Sequence, residues 1–495
     1  MSSRLPRRGA VLVFSLVLLG APAVAAERDA DLLEALRANG SITQEQFDAL
    51  SADDGTSATD SAEGAEPLAA AGDSETSDGD EALDPRVSEQ VAGMIAQAVE
   101  EAVPVKASYG SKGFRLETRD GNWQTNLQWR FQGRLTHPTR GDPRQVDDFK
   151  AKEQTTFELR RVRMKIGGHG YKPWLKYYFE VDLQPTRDTD DDNVSTRARV
   201  IDWRIDLSKW EAIGLRVGQW KIDYNRERVD SSGRQQFVER SIVNRIFTID
   251  RQMGVSLRGR LFNGTHADMR YYAGVFTGEG RGVQNDDNNL MYAGRLQWNF
   301  LGRDLALRQT DVERTELPTG TLAFGGATHT GRCTRWSSSS CGNLDGFERP
   351  VLAEKGQFRV HQAVQELAFK WQGFSFQQEA HWKRVIDRSF ASTDGRRESD
   401  FYGLYAQMGY FFNEVFDRFP EPLELAFRYA KVWEPNEIDV RLENERQEFT
   451  TAANWFFAGH NNKLTLDYSY LTLEDGGLRR KVHDNRVRFQ WDVSF

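Results

Sequence analysis

From about residue 120 onward, apolar and polar positions alternate with a period of two. The stretch NWQTNLQWRFQGR sets Trp123, Thr125, Leu127, Trp129 and Phe131 on one face, and Gln124, Asn126, Gln128, Arg130 and Gln132 on the other. The pattern returns in LKYYFEVDL, VIDWRIDL, GVSLRGRL, YAGRLQWNF, LELAFRYAKV, KLTLDYSYL and the closing VRFQWDVSF. Alternation and breakers together predict sixteen strands, near 122–135, 154–169, 173–184, 197–208, 213–222, 251–261, 266–276, 290–301, 318–329, 359–371, 374–386, 399–414, 422–432, 447–458, 463–474 and 484–495. In FELRRVRMKIGG the phase slips between Arg160 and Arg161, as it does at a β-bulge.

The links alternate as regularly as the strands. Short ones such as GYKP, KWEA, FNGT, QG and GHNN interleave with long ones near 136–153, 185–196, 223–250, 277–289, 330–358, 387–398, 433–446 and 475–483. Short turns at one end and long loops at the other are the plan of an outer-membrane barrel. A soluble sandwich alternates too, but gives no reason for that asymmetry or for strands this long. The expected fold is therefore all-β: a 16-stranded antiparallel transmembrane β-barrel. It also explains VRFQWDVSF, whose apolar members Val487, Phe489, Trp491, Val493 and Phe495 then face lipid on the strand that closes the cylinder. An aromatic end of this type resembles the signal read by the outer-membrane assembly machinery, which makes that machinery an expected partner.

Composition removes an objection to the membrane. A mean hydropathy of −0.64 reads as soluble, but a barrel with one polar face averages to a polar-looking sequence. Residues 1–26 carry Arg4, Arg7 and Arg8, the apolar run AVLVFSLVLLG and the small residues APAVAA, the three-part plan of a secretory signal peptide. In the oxidising compartment this implies, Cys333 and Cys341, the only cysteines, favour a disulfide within one Ser-rich loop. Two thiols without clustered His argue against a metal site.

Charge divides the mature chain. Residues 27–104 sum to −17, whereas 105–495 sum to +6 within a whole-chain net of −8. The expected domains are a short helical segment over 27–50, an acidic disordered linker over 51–84, a helix over 85–104 and the barrel over 105–495. The N-terminal extension is placed in the periplasm. Val87, Val91, Ile95 and Val99, spaced by four, give the last helix a weak apolar stripe.

The segments LRVGQWKIDYNRERVDSS, FVERSIVNRIFTIDRQMGVSLRGRL and YYAGVFTGEGRGVQNDDNNLMYAGRLQW strongly resemble, in order and spacing, the phosphate-selective porins O and P of Gram-negative outer membranes. Weaker similarity continues to the C-terminus, covering about 105–495. The resemblance implies a homotrimer in outer-membrane lipid, with the third extracellular loop folded into each pore. One departure bears on selectivity: Asp223 and Tyr224 stand where the family usually has Pro and Phe.

If the apolar alternates face lipid, Arg130, Arg134, Arg216, Arg258, Arg260 and Arg295 point into the lumen. So do Glu180, Asp182, Asp202, Asp206, Glu379, Glu424, Asp467 and Asp492. In the third loop, arginines outnumber acids by six to five, and clustered cations in a narrow site attract anions. The candidate constriction comprises Lys221, Arg226, Arg228, Arg240, Arg245 and Arg251. The expected function is passive diffusion of small anions, phosphate or polyphosphate among them. A mixed-charge, non-selective porin is the alternative, and a surface adhesion barrel a further one. The eight His are scattered, and neither Gly-x-Ser-x-Gly nor HExxH occurs. That leaves no enzyme, cofactor or nucleic-acid partner to expect.

Overall fold

The computed structural model describes Arg37 and residues 104–138, 143–144, 146–149, 154–183, 198–337, 341–389, 397–435 and 443–495. The expected signal peptide, linker and N-terminal helices lie outside these, Arg37 and Pro104 apart.

A hairpin of β1 (Val105–Gly110) and β2 (Gly113–Thr118) comes first. The wall follows as β3 (Gln124–His137), β4 (Thr156–His169), β5 (Leu175–Asp182), β6 (Arg199–Leu207), β7 (Gly214–Lys221), β8 (Arg251–Leu261), β9 (Met269–Phe276), β10 (Met291–Trp298) and β11 (Thr319–Gly331). A small loop hairpin, β12 (Arg335–Trp336) and β13 (Cys341–Gly342), precedes β14 (Phe358–Trp371), β15 (Phe374–Asp387), β16 (Arg397–Tyr410), β17 (Leu423–Pro435), β18 (Glu443–Phe456), β19 (Asn462–Asp475) and β20 (Arg480–Ser494). Each wall strand pairs antiparallel with the next, and β20 returns to β3 from Val487↔His137 to Ser494↔Arg130, closing sixteen strands into a barrel. Closure leaves no wall edge with unpaired backbone, as a lipid environment demands.

All sixteen wall strands fall where the alternation puts them. At the expected slip, Gln132 faces Arg161 and Gly133 faces Leu159, so Arg160 is the extra residue of a bulge. A second shift, at Glu180/Val181, makes Ile201 extra. The hairpin β1–β2 is new. Its second strand pairs with β3 from Phe114↔Leu127 to Glu117↔Gln124, the stretch of β3 that β20 does not reach. Phe495 finishes β20's pairing through two backbone bonds with Trp129, and its ring stacks on Phe131 with centroids 5.8 Å apart.

Burial is inverted relative to a soluble protein. Leu135, Phe157, Trp203, Leu296, Phe324, Phe427, Leu466 and Phe489 are exposed on the outside, while Gln132, Glu366, Glu379, Arg428, Asp467 and Asp492 are buried within. The outer face needs an apolar solvent.

The third long connection, 222–250, fills part of the lumen. It carries two short helices, α1 (Arg226–Val229) and α2 (Ile242–Phe247). The α2 residues Ile242, Val243, Ile246 and Phe247 join a buried apolar cluster with Val364, Val385, Tyr405, Ala430 and Val432 of the β14–β17 wall. Wall carboxylates then capture the loop's backbone. Glu366 accepts from Arg226 N–H at 3.1 Å, Glu379 from Glu227 at 2.7 Å, Asp467 from Val238 at 3.0 Å and Glu448 from Ile242 at 2.9 Å. The loop is thus fixed mainly to the β14–β19 side, with further bonds from Gln132 and Arg134 of β3 to the Ser232 and Val238 carbonyls, at 3.1 Å each, and open space remains at its two ends.

Candidate pore lining

Two cavities border the inward-folded loop. The one toward the short-turn end holds about 670 Å³, and among the described residues its lining includes Arg163, Lys165, Lys176, Arg204, Arg216, Lys221, Arg234 and Arg251 together with the carboxylates Glu180, Asp202, Asp206 and Asp223. Lys112 at the tip of the β1–β2 hairpin also reaches this lining, and the carbonyl of Ser111 accepts from Asn461 Nδ2 at 3.0 Å. The cavity toward the long-loop end holds about 430 Å³. Among the described residues its lining includes nine arginines, Arg134, Arg160, Arg161, Arg228, Arg240, Arg245, Arg335, Arg486 and Arg488, against two carboxylates, Glu239 and Glu448.

The bulge helps to build this imbalance. Without the extra residue, strict alternation would send one of Arg160 and Arg161 outward; with it, both line the cavity. Beyond it, Arg161, Arg163 and Lys165 recur two apart on β4 and carry cations from one cavity to the other. Glu239 sits beneath Arg134, at 2.7 Å, and Arg160, at 3.2 Å. Burial pushes its carboxyl up, but these two guanidinium groups prevail and hold it well below the usual range. Arg240, depressed by burial and then by Arg228 to about 10, stays charged at neutral pH.

The loop's cations divide between lining and scaffold. Lys221 donates to the Asp230 carbonyl at 3.1 Å, and Arg240 donates to the carbonyls of Glu227 and Asp230 at 2.8 Å each. Arg228 pairs with Asp250. Arg251 pairs with Asp202 at 2.7 Å, and Arg245 faces the long-loop cavity. Arg226 is elsewhere: buried, it donates to Gln377 at 3.2 Å and to the Ala306 carbonyl, and lies in the lining of neither cavity.

The six predicted wall arginines point inward, mostly toward acids. Arg295 pairs with Glu366 at 2.6 Å, Arg216 with Asp206, Arg260 with Asp268, and Arg258 with Asp223. Asp223, the departure from the family pattern, is therefore neutralised by Arg258. Arg134 bonds Glu239, whereas Arg130 reaches only the hydroxyls of Ser231, at 2.8 Å, and Ser494, at 3.3 Å, among its side-chain partners.

Sequence reasoning left Arg160, Arg161, Arg163, Lys165 and Arg335 out of the candidate lining. The β4 set was visible as RRVRMK once the bulge was granted. Arg335 had no local signal. It is presented by the β12–β13 hairpin, which the Cys333–Cys341 disulfide closes with Cα atoms 5.7 Å apart and whose Trp336 donates to the Gly278 carbonyl at 2.6 Å. Glu279 lies within 4.8 Å of both sulfurs. With the sulfurs bonded to each other, the group offers a cation one carboxylate and no thiolate.

Among solved structures, the fold is similar to OmpT of Vibrio cholerae (in-vitro folded; 10% identity, 76% of this chain and 98% of that chain, TM-score 0.49). It is also similar to the outer membrane channel DcaP of Acinetobacter baumannii (12%, 77% and 99%, 0.46) and an anion-selective porin from Comamonas acidovorans (10%, 75% and 99%, 0.43). No curated protein matches the sequence. The family described as phosphate-selective porin O and P matches residues 134–495, and with that match and its closed sixteen-stranded barrel, the chain belongs to this family of outer-membrane porins.

Proposed function

We propose that this porin is an anion-selective diffusion channel, whose path runs between the third loop and the wall, beside β18, β20, β3 and β4 at the long-loop end and β3–β8 at the short-turn end, and passes small oxyanions, phosphate among them. The observation that carries this reading is the extracellular cavity, with nine lining arginines against two carboxylates, and seven once Arg228 and Arg488 are set against Asp250 and Asp467 outside the lining. Low-dielectric walls focus such a field, so anions enter enriched and cations depleted. Guanidinium forks also match the oxygens of phosphate and carboxylate. Arg161, Arg228, Arg240 and Arg245 are the residues assigned to the extracellular side of the constriction, with Lys165, Lys221 and Arg251 below it. The porin acts as a homotrimer in outer-membrane lipid, its N-terminal extension lies in the periplasm, and β20 is what the assembly machinery recognises.

A non-selective general-diffusion porin is the second reading, and one observation favours it: Arg216, Arg258, Arg260 and Arg295 each have a carboxylate partner. Planar-bilayer recording under a salt gradient separates the two. The expected reversal potential has the sign of chloride preference, with chloride current blocked by added phosphate. A cation-preferring wild type would overturn the anion reading.

A further inference from the structure

We propose that the periplasmic link 299–318 is a second constriction element, which enters the barrel from the opposite end and locks the third loop against the β14–β18 wall, confining permeation at that end to the β3–β8 side. The inference rests on the porin family alone and not on anion selectivity.

The link breaks the rule of its own end. β14 and β15 are joined there by two residues, Gln372 and Gly373, yet twenty residues separate Trp298 of β10 from Thr319 of β11. A long excursion that hung below the barrel would be solvated. Here Leu305, Gln309, Thr310 and Asp311 are buried. The link 411–422 makes the contrast, since its Val415 and Phe416 are exposed.

Its hydrogen bonds show what it holds. On the wall side, the Thr310 carbonyl accepts from Lys370 Nζ at 2.6 Å, and the Asp311 carboxylate accepts from Gly373 N–H at 2.9 Å. On the loop side, Gln309 Oε1 accepts from Gln236 N–H at 2.7 Å, its Nε2 donates to Gln235 Oε1 at 2.9 Å, and the Ala306 carbonyl accepts from Arg226. Gln236 in turn donates to Glu424 at 2.7 Å and Ser375 at 3.1 Å. The lowest part of the third loop is therefore clamped between the wall and the link. This explains why Arg226, a constriction candidate by sequence, is buried instead: its fork reaches this link. A buried amide ladder of this kind is stable only when complete, because each member left unpaired bears the full cost of its desolvation. Loss of the link would uncover Gln235, Gln236 and Arg226 together and open the β14–β18 side of the lumen.

The test uses the full chain in planar bilayers and in proteoliposomes swollen by sugars of increasing size, with heat-modifiable migration as the check on the barrel. In one variant a short Gly-Ser turn replaces 303–315; in a second, Gln309→Ala and Asp311→Ala remove only the side-chain locks; Asp311→Asn, which still accepts from Gly373, is the conservative control. The turn variant is expected to raise single-channel conductance about twofold or more and to admit larger sugars, as a wider aqueous path requires. The double variant should flicker between wild-type and larger conductances, and Asp311→Asn should match wild type. Wild-type conductance and sugar cut-off in a turn variant that forms the barrel would overturn the proposal. If that variant does not assemble, wild-type values in the double variant would overturn it equally. Ion preference is read separately from the reversal potential, so a cation-preferring channel would sink the anion reading and leave this one standing.

Discussion

Charged residues in this lumen do two jobs, and their partners tell which. Glu366, Glu379, Glu448 and Asp467 accept backbone N–H groups of the third loop, so they are anchors rather than free cation sites. Arg161, Arg228 and Arg245, by contrast, line the extracellular cavity. Replacing these three together with Gln is expected to keep the barrel and move the reversal potential toward zero, whereas Glu239→Gln should move it further toward chloride preference. Matching shifts in both variants would show that the cavity does not set selectivity. Glu227 supplies a pH dependence. Its carboxylate accepts from Ser241 N–H at 2.7 Å and Oγ at 2.9 Å, and burial, with neighbouring Glu379 second, raises it from the usual 4.5 to about 6. An acid with a raised pKa in the folded state stabilises that state below 4.5 and loses the contribution as pH rises through about 6. For such a shift the loss is about 2 kcal/mol. Open-channel noise from the third loop should therefore be greater at pH 7.5 than at pH 5, and Glu227→Gln should flatten the difference; an unchanged pH dependence in that variant would refute the assignment. Inward direction was legible from alternation alone for Arg130, Arg134, Arg216, Arg258, Arg260 and Arg295, while Arg160, Arg161 and Arg163 also needed the bulge. Partnership was not, because Arg295 and Glu366, or Arg226 and Ala306, are 71 and 80 residues apart in sequence and meet only in the tertiary fold.

At the scale of elements, period two was enough to find all sixteen wall strands and the bulge at Arg160. The β1–β2 and β12–β13 hairpins and the two helices of the third loop escaped. The β1–β2 strands VKASYG and GFRLET are six residues each, too short for alternation to stand out, and only the unreached end of β3 makes a place for them. The helix α2 was legible in principle: Ile242, Val243, Ile246 and Phe247 form a helical stripe. Reading the third loop for its charges alone hid an apolar face that packs on the wall. The exposed faces of the strands carry their own expectation. Leu466 is half exposed on β19, pointing away from the lumen, while Asp467 beside it is buried. Leu466→Arg should cost about 2–4 kcal/mol if it lies near the bilayer midplane, measured as urea unfolding from vesicles. A neutral result would mean that this face does not meet lipid.

For the molecule as a whole, net charge misleads. The chain sums to −8, yet the acidity is concentrated in 27–104 and the barrel segment carries +6. Inside the barrel ion pairs consume many wall charges, Arg295 with Glu366 and Arg488 with Asp467 among them, and both cavities keep an excess of cations over carboxylates. This fixes how selectivity should respond to salt. A cavity that selects through the summed field of many arginines acts over a Debye length, about 10 Å at 0.1 M ionic strength and about 3 Å at 1 M. One that selects by stripping water from an anion at a single contact point is screened far less. The chloride-to-potassium permeability ratio is therefore expected to fall toward unity as the mean salt concentration rises from 0.1 M to 1 M, at a fixed gradient ratio. The triple Gln variant should start lower and fall less. A ratio that holds constant across that range would rule out the long-range field as the source of selectivity and place it in direct coordination at one narrow ring.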